Sequence, residues 1–107
     1  MNEPIINRRE LALRDLEDIA DYIAKDNPRT ALRFLSAAER TFTLLADQPQ
    51  MGTAYETDDG ELSDLRRFPV AGFQNYLIFY KGSEEGIQVV RIIHGAREIP
   101  NVLDELG

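Results

Sequence analysis

The sequence predicts an α+β domain in which an antiparallel hairpin of two amphipathic helices packs on a small, mainly antiparallel β-sheet. Three observations carry this expectation. Over the first half, up to Leu45, apolar residues recur at steps of three and four, the spacing of one helix face. From about residue 62 the chain turns to runs rich in aromatic and β-branched residues, which suit strands. Between them lies a stretch punctuated by Pro49, Gly52 and Gly60. At 107 residues there is room for a single domain, residues 1–107, with one hydrophobic core.

Each element follows from its own signals. A short strand is expected at Pro4–Ile6. Asn7 and Glu10 then stand at capping-box spacing, with Asn7 as N-cap. Ala12, Leu16, Ile19 and Ile23 form the buried stripe of the first helix, which should stop near Asp26 because Pro28 disfavours helical geometry at Asn27. Asn27 and Pro28 are a good cap and first-turn residue for a second helix. Its stripe is Ala31, Leu35, Ala38, Phe42 and Leu45, and Pro49 ends it. Residues 51–60 read as loop. Leu62–Phe68 reads as a weak strand that ends before Pro69. Phe73–Tyr80 and Ile87–Ile93 form a hairpin around the turn KGSEEG, and their near-continuous apolar character places them centrally in the sheet. Strict alternation would put His94 on the face of Val90 and Ile92, and Arg91 with Ile87, Val89 and Ile93. In the tail, Pro100 suits the first turn of a short C-terminal helical segment.

Composition narrows the chemistry. Apolar residues make up 43% and charged residues 29%, an ordinary globular balance. The absence of cysteine excludes disulfides, thiolate metal sites and a cysteine nucleophile, and His94 is the single histidine. No metal and no cofactor are expected. No run approaches the ~18 apolar residues of a membrane span. The acidic opening stretch, without an apolar core, does not read as a signal or transit peptide, so the cytoplasm is the expected location. Net charge is −7, with seven basic and fourteen acidic residues in 1–64 and five of each in 65–107. Glu56, Asp58, Asp59, Glu61 and Asp64 form an acidic run, which reads as a solvated face. Direct nucleic-acid binding by the chain alone is not expected.

In order and spacing, the motifs resemble the RelE/ParE toxin superfamily of bacterial type II toxin–antitoxin systems from about residue 5 to residue 100. Ala12-x-x-Asp15-Leu16-x-x-Ile19-x-x-Tyr22 is similar to that superfamily's first helix. Ala31, Phe34 and Leu35 fit the second helix, and Leu45-x-x-x-Pro49-x-x-Gly52 fits its exit. Arg66-Arg67-Phe68-Pro69, Tyr76-x-x-Phe79-Tyr80 and the string from Val90 to Arg97, VRIIHGAR, resemble its sheet segments.

The resemblance implies one of two activities. RelE-type members cut mRNA on the ribosome, with lysines, arginines and a C-terminal tyrosine supplying acid–base and charge-stabilising groups. Here the last tyrosine is Tyr80, and PVAGFQN after Phe68 lacks the cations such a site uses. The sequence therefore resembles the ParE branch, which implies an inhibitor of DNA gyrase neutralised by a ParD-like antitoxin, acting by binding and without a catalytic residue. A RelE-like nuclease and a non-toxic antitoxin-binding homologue are the alternatives.

Candidate target contacts are Arg66, Arg67, Arg91, His94 and Arg97. Each has a plainer reading. Arg91 could pair with a helix acid. His94 could hydrogen-bond backbone where its strand ends. Arg66 and Arg67 should point to opposite sheet faces, so at most one meets a target. Tyr76 and Tyr80 share a face with Ile78 and read as core. Leu13, Leu32 and Leu44 fall off the main helix stripes and are the candidate rim of an antitoxin groove.

Overall fold

The computed structural model describes residues 3–55 and 64–95. In chain order its elements are β1 (Ile5–Arg8), α1 (Glu10–Ala24), α2 (Pro28–Asp47), a 3₁₀ turn (Pro49–Met51), β2 (Thr53–Ala54), β3 (Leu65–Val70), β4 (Phe73–Gly82) and β5 (Gly86–His94). Among the described residues the sheet has five strands in the order β1-β5-β4-β3-β2. The expected α+β architecture is present, with β5 and β4 central. Only the β1–β5 pair is parallel.

Both helices lie on one sheet face because each has one apolar side to bury. Ala12, Leu16 and Ala20 are the buried residues of α1, and α2 buries an alanine-rich face with Phe34, Phe42 and Leu45. Small side chains let the helices approach closely while the phenylalanines fill the space above the sheet. From the strands, Ile78, Tyr80, Val89 and Ile92 complete this core. Leu65, Phe79, Val90 and Ile93 form a second buried cluster on the opposite face.

The helix boundaries divide the capping expectations. Asn27 caps α2 as expected, its side chain accepting from the Thr30 amide at 3.2 Å with Pro28 in the first turn. Asn7 does not cap α1. It lies inside β1, paired with Gln88, and extended Arg9 takes the N-cap position without a side-chain cap bond. The strand ladder, with a neighbour for every residue of β1, outcompetes the local capping box.

Three strand expectations also shift. Residues 53–54, expected as loop, form the short edge strand β2 against Arg66 and Arg67. β3 does not end before Pro69 but runs through it to Val70. β2 has stopped by then, so Pro69 sits on a free sheet edge, where a missing N–H costs no ladder bond. The strict alternation expected of β5 is broken by a bulge. Val89 pairs with Tyr80 and Arg91 with Phe79, leaving Val90 as the extra residue. Val89 and Ile92 therefore face the helices, while Val90 and Ile93 face away. Arg97, the Pro100 helical segment, Leu62 and the acidic residues from Glu56 to Glu61 lie outside the described residues.

Candidate functional site

Two polar centres are each held by several hydrogen bonds, one tying α1 to β5 and the other tying β4 to the exit of α2. At the first, the carboxylate of Asp15 on α1 meets the guanidinium of Arg91 on β5, with Nε to Oδ2 at 2.7 Å and Nη2 to Oδ1 at 2.9 Å. Asp15 Oδ2 also accepts from the Ile92 amide at 3.0 Å. β1 pairs with β5 only as far as Val89, so beyond that point this side of β5 has no strand neighbour. The Asp15 carboxylate takes over that role. The two side chains are only 12% and 13% exposed, so the pair is a pin between α1 and the sheet. The plainer reading of Arg91, a salt bridge to a helix acid, is the arrangement observed.

At the second, Tyr80 Oη donates to the Pro49 carbonyl and accepts from the Gly52 amide, both at 2.8 Å. Arg66 Nη1 donates to the Gly52 carbonyl at 2.7 Å. A Cβ at Gly52 would collide with Tyr80 Oη and would stand 2.9 Å from the Arg67 carbonyl oxygen. Glycine is required here by close approach. Burial pushes the Tyr80 hydroxyl above its ordinary pKa, partly offset by the Gly52 amide and the Arg66 charge. Tyr80 is thus a neutral hydrogen-bonding post that fastens the α2 exit onto the sheet.

Among the described residues the sequence candidates do not converge. Arg66 reaches the loop after α2, while Arg67, on the other face of β3, is exposed. Arg91 is two strands away, about 10 Å at the usual strand spacing, and turned to α1. His94, half-buried at the end of β5, packs its ring edge-on to Tyr76 at 5.5 Å, and Tyr76 in turn meets Phe34 at 5.3 Å. Tyr76 and Tyr80 both belong to the helix-side core.

Leu13, Leu32 and Leu44 are all exposed, Leu32 most of all at 67%. They do not outline one groove. Leu32 and Leu44 are separated on α2 by about 18 Å along the axis and about 120° around it. The sequence reading passed over Leu11 and gave Tyr22 only as part of the first-helix motif; both are exposed and lie eleven residues apart on one side of α1. It also left Asp15 unassigned as the partner of Arg91. An acid immediately before buried Leu16 and three residues after buried Ala12 was the available signal.

A family model described as the ParE toxin of the type II toxin–antitoxin system parDE matches residues 6–99. The chain belongs to the ParE toxin family. Its relatives include "Putative toxin Y4kP" of Sinorhizobium fredii (strain NBRC 101917 / NGR234), 29% identical over 92 residues and covering 86% of this chain and 88% of that one. A solved structure titled "Chromosomal ParDE TA system from P. aeruginosa" superposes with a TM-score of 0.67 at 17% identity, covering 86% of this chain and 96% of that one. At that identity the superposition speaks for the ParE fold. The ParE match includes both constrained centres, Asp15–Arg91 and Gly52–Tyr80.

Proposed function

We propose that this ParE toxin acts in the cytoplasm, where it binds DNA gyrase and blocks replication, and that a cognate ParD-like antitoxin neutralises it. The family match over residues 6–99 carries the reading. The local chemistry supports binding over bond cleavage. The Tyr80 hydroxyl is engaged by two backbone groups and Arg91 by Asp15, so neither is poised as an acid, a base or a phosphate clamp.

The test is supercoiling by purified gyrase with and without the purified chain. Inhibition is expected, together with filamentous cells and an induced DNA-damage response when the chain is expressed alone. Normal supercoiling at saturating protein, with translation arrested instead, would replace this reading with ribosome-dependent mRNA cleavage. Co-expression of the neighbouring antitoxin gene should restore growth. The complex should survive ~0.5 M salt, because apolar burial is not screened.

A further inference from the structure

Charge on α2 runs against the balance of the whole chain. The protein carries −7, yet the exposed stripe Arg29, Arg33, Ser36 and Arg40 holds three cations and no acid. Steps of four, three and four put these residues on one helix face. Several other arginines are matched by a carboxylate or a backbone carbonyl, as Arg8 is by Glu39, Arg91 by Asp15 and Arg66 by Gly52, whereas Arg33 donates from Nη2 to the neutral Thr30 hydroxyl at 2.9 Å. Among the described residues, no carboxylate lies within ion-pair distance of Arg29, Arg33 or Arg40.

Arg33 and Arg40 also border a groove between α2 and the β3–β4 turn at Ala71 and Gly72. The same groove presents Leu32 and half-buried Phe73, whose ring sits edge-on to Phe34 at 5.3 Å. Its wall is braced, because Thr41 Oγ1 accepts the Ala71 amide at 3.1 Å while donating to the Ala37 carbonyl at 2.7 Å. The groove therefore offers fixed apolar contact with unmatched positive charge along one side.

We propose that this groove seats an acidic segment of the antitoxin, its carboxylates on Arg33 and Arg40 and an apolar side chain against Leu32 and Phe73. This inference rests on the reading of the chain as an antitoxin-neutralised toxin. The two arginines lie about 10 Å apart along the helix, a spacing matched by acids two turns apart on a helix or three residues apart on a strand. A protein segment fits better than a nucleic acid. The apolar half of the groove would be left uncovered by phosphates, and the acidic remainder of the chain repels a long polyanion.

The experiment measures binding of the purified neighbouring antitoxin to the wild type, to Arg33→Glu/Arg40→Glu and to Arg14→Glu, an exposed α1 control. Thermal melts confirm that each variant is folded. The double variant should weaken binding about tenfold or more at 50 mM salt, with the gap narrowing at 500 mM, and the control should bind like wild type. Wild-type affinity in the double variant would overturn the groove assignment and leave the antitoxin reading standing. Absence of binding by the wild type would remove both. A single-stranded DNA oligonucleotide that binds the wild type saturably and loses the double variant would assign the arginines to nucleic acid instead.

Discussion

Removing the Tyr80 hydroxyl leaves two buried backbone groups, the Pro49 carbonyl and the Gly52 amide, without their partner. Tyr80→Phe should therefore cost about 1–3 kcal/mol in urea unfolding, although its ring still fills the core. Alkaline pH gives an independent signature. Because folding raises the Tyr80 pKa, the unfolded chain loses its phenolic proton first. Wild-type stability should fall as pH rises past about 10, and Tyr80→Phe should lack this component in melts from pH 8 to pH 11. Asp15 makes a second residue-level case. Asp15→Ala leaves a nearly buried guanidinium and the Ile92 amide without their acceptor, a cost of about 3–5 kcal/mol. Asp15→Leu/Arg91→Met should unfold at higher urea than Asp15→Ala, because both charges of the pair are then removed together. Tyr80 as a core residue was legible from its period-two neighbours. Its hold on Pro49 was not, because the two residues are joined by tertiary geometry across 31 positions.

The second helix is built where local chemistry and tertiary demand agree, and the first where they part. Asn27→Ala should lower stability by about 1 kcal/mol, since the Thr30 amide loses its cap. Asn7→Ala should have little effect on α1, because Asn7 lies in β1 and caps nothing. Comparing the two variants by thermal melt tests the assignment of both ends. Strand existence and the central placement of β4 and β5 followed from composition. Side assignment on β5 did not, since one extra residue at Val90 reverses every later side chain and no local residue type announces it. That reversal is why Ile92, and not Ile93, packs under the helices with Val89. Pro69 misled for a related reason. Whether proline ends a strand depends on which edge is free, and that is set by β2 elsewhere in the chain.

At the scale of the whole molecule, the helix-side core joins the two layers. β5 contacts both helices and lies between β1 and β4. Urea unfolding followed by far-ultraviolet circular dichroism and by tyrosine fluorescence should give coincident transitions. Separate midpoints would show that the helix hairpin can leave the sheet on its own. The fold class was legible because periodicity reports layers. The candidate site was only partly so, because which cations are already matched depends on partners distant in sequence. The parallel pairing of Ile5 with Gly86 carries a consequence for synthesis. Gly86 accepts β1 only because it has no side chain, as a Cβ there would run into the Ile5 carbonyl oxygen. The opening strand must wait until the last described strand has been made, on the order of 4–16 s at ordinary elongation rates. During that interval neither Asp15 nor the core beneath α1 has its β5 partner. A growing chain therefore cannot display the finished surface until β5 has joined β1.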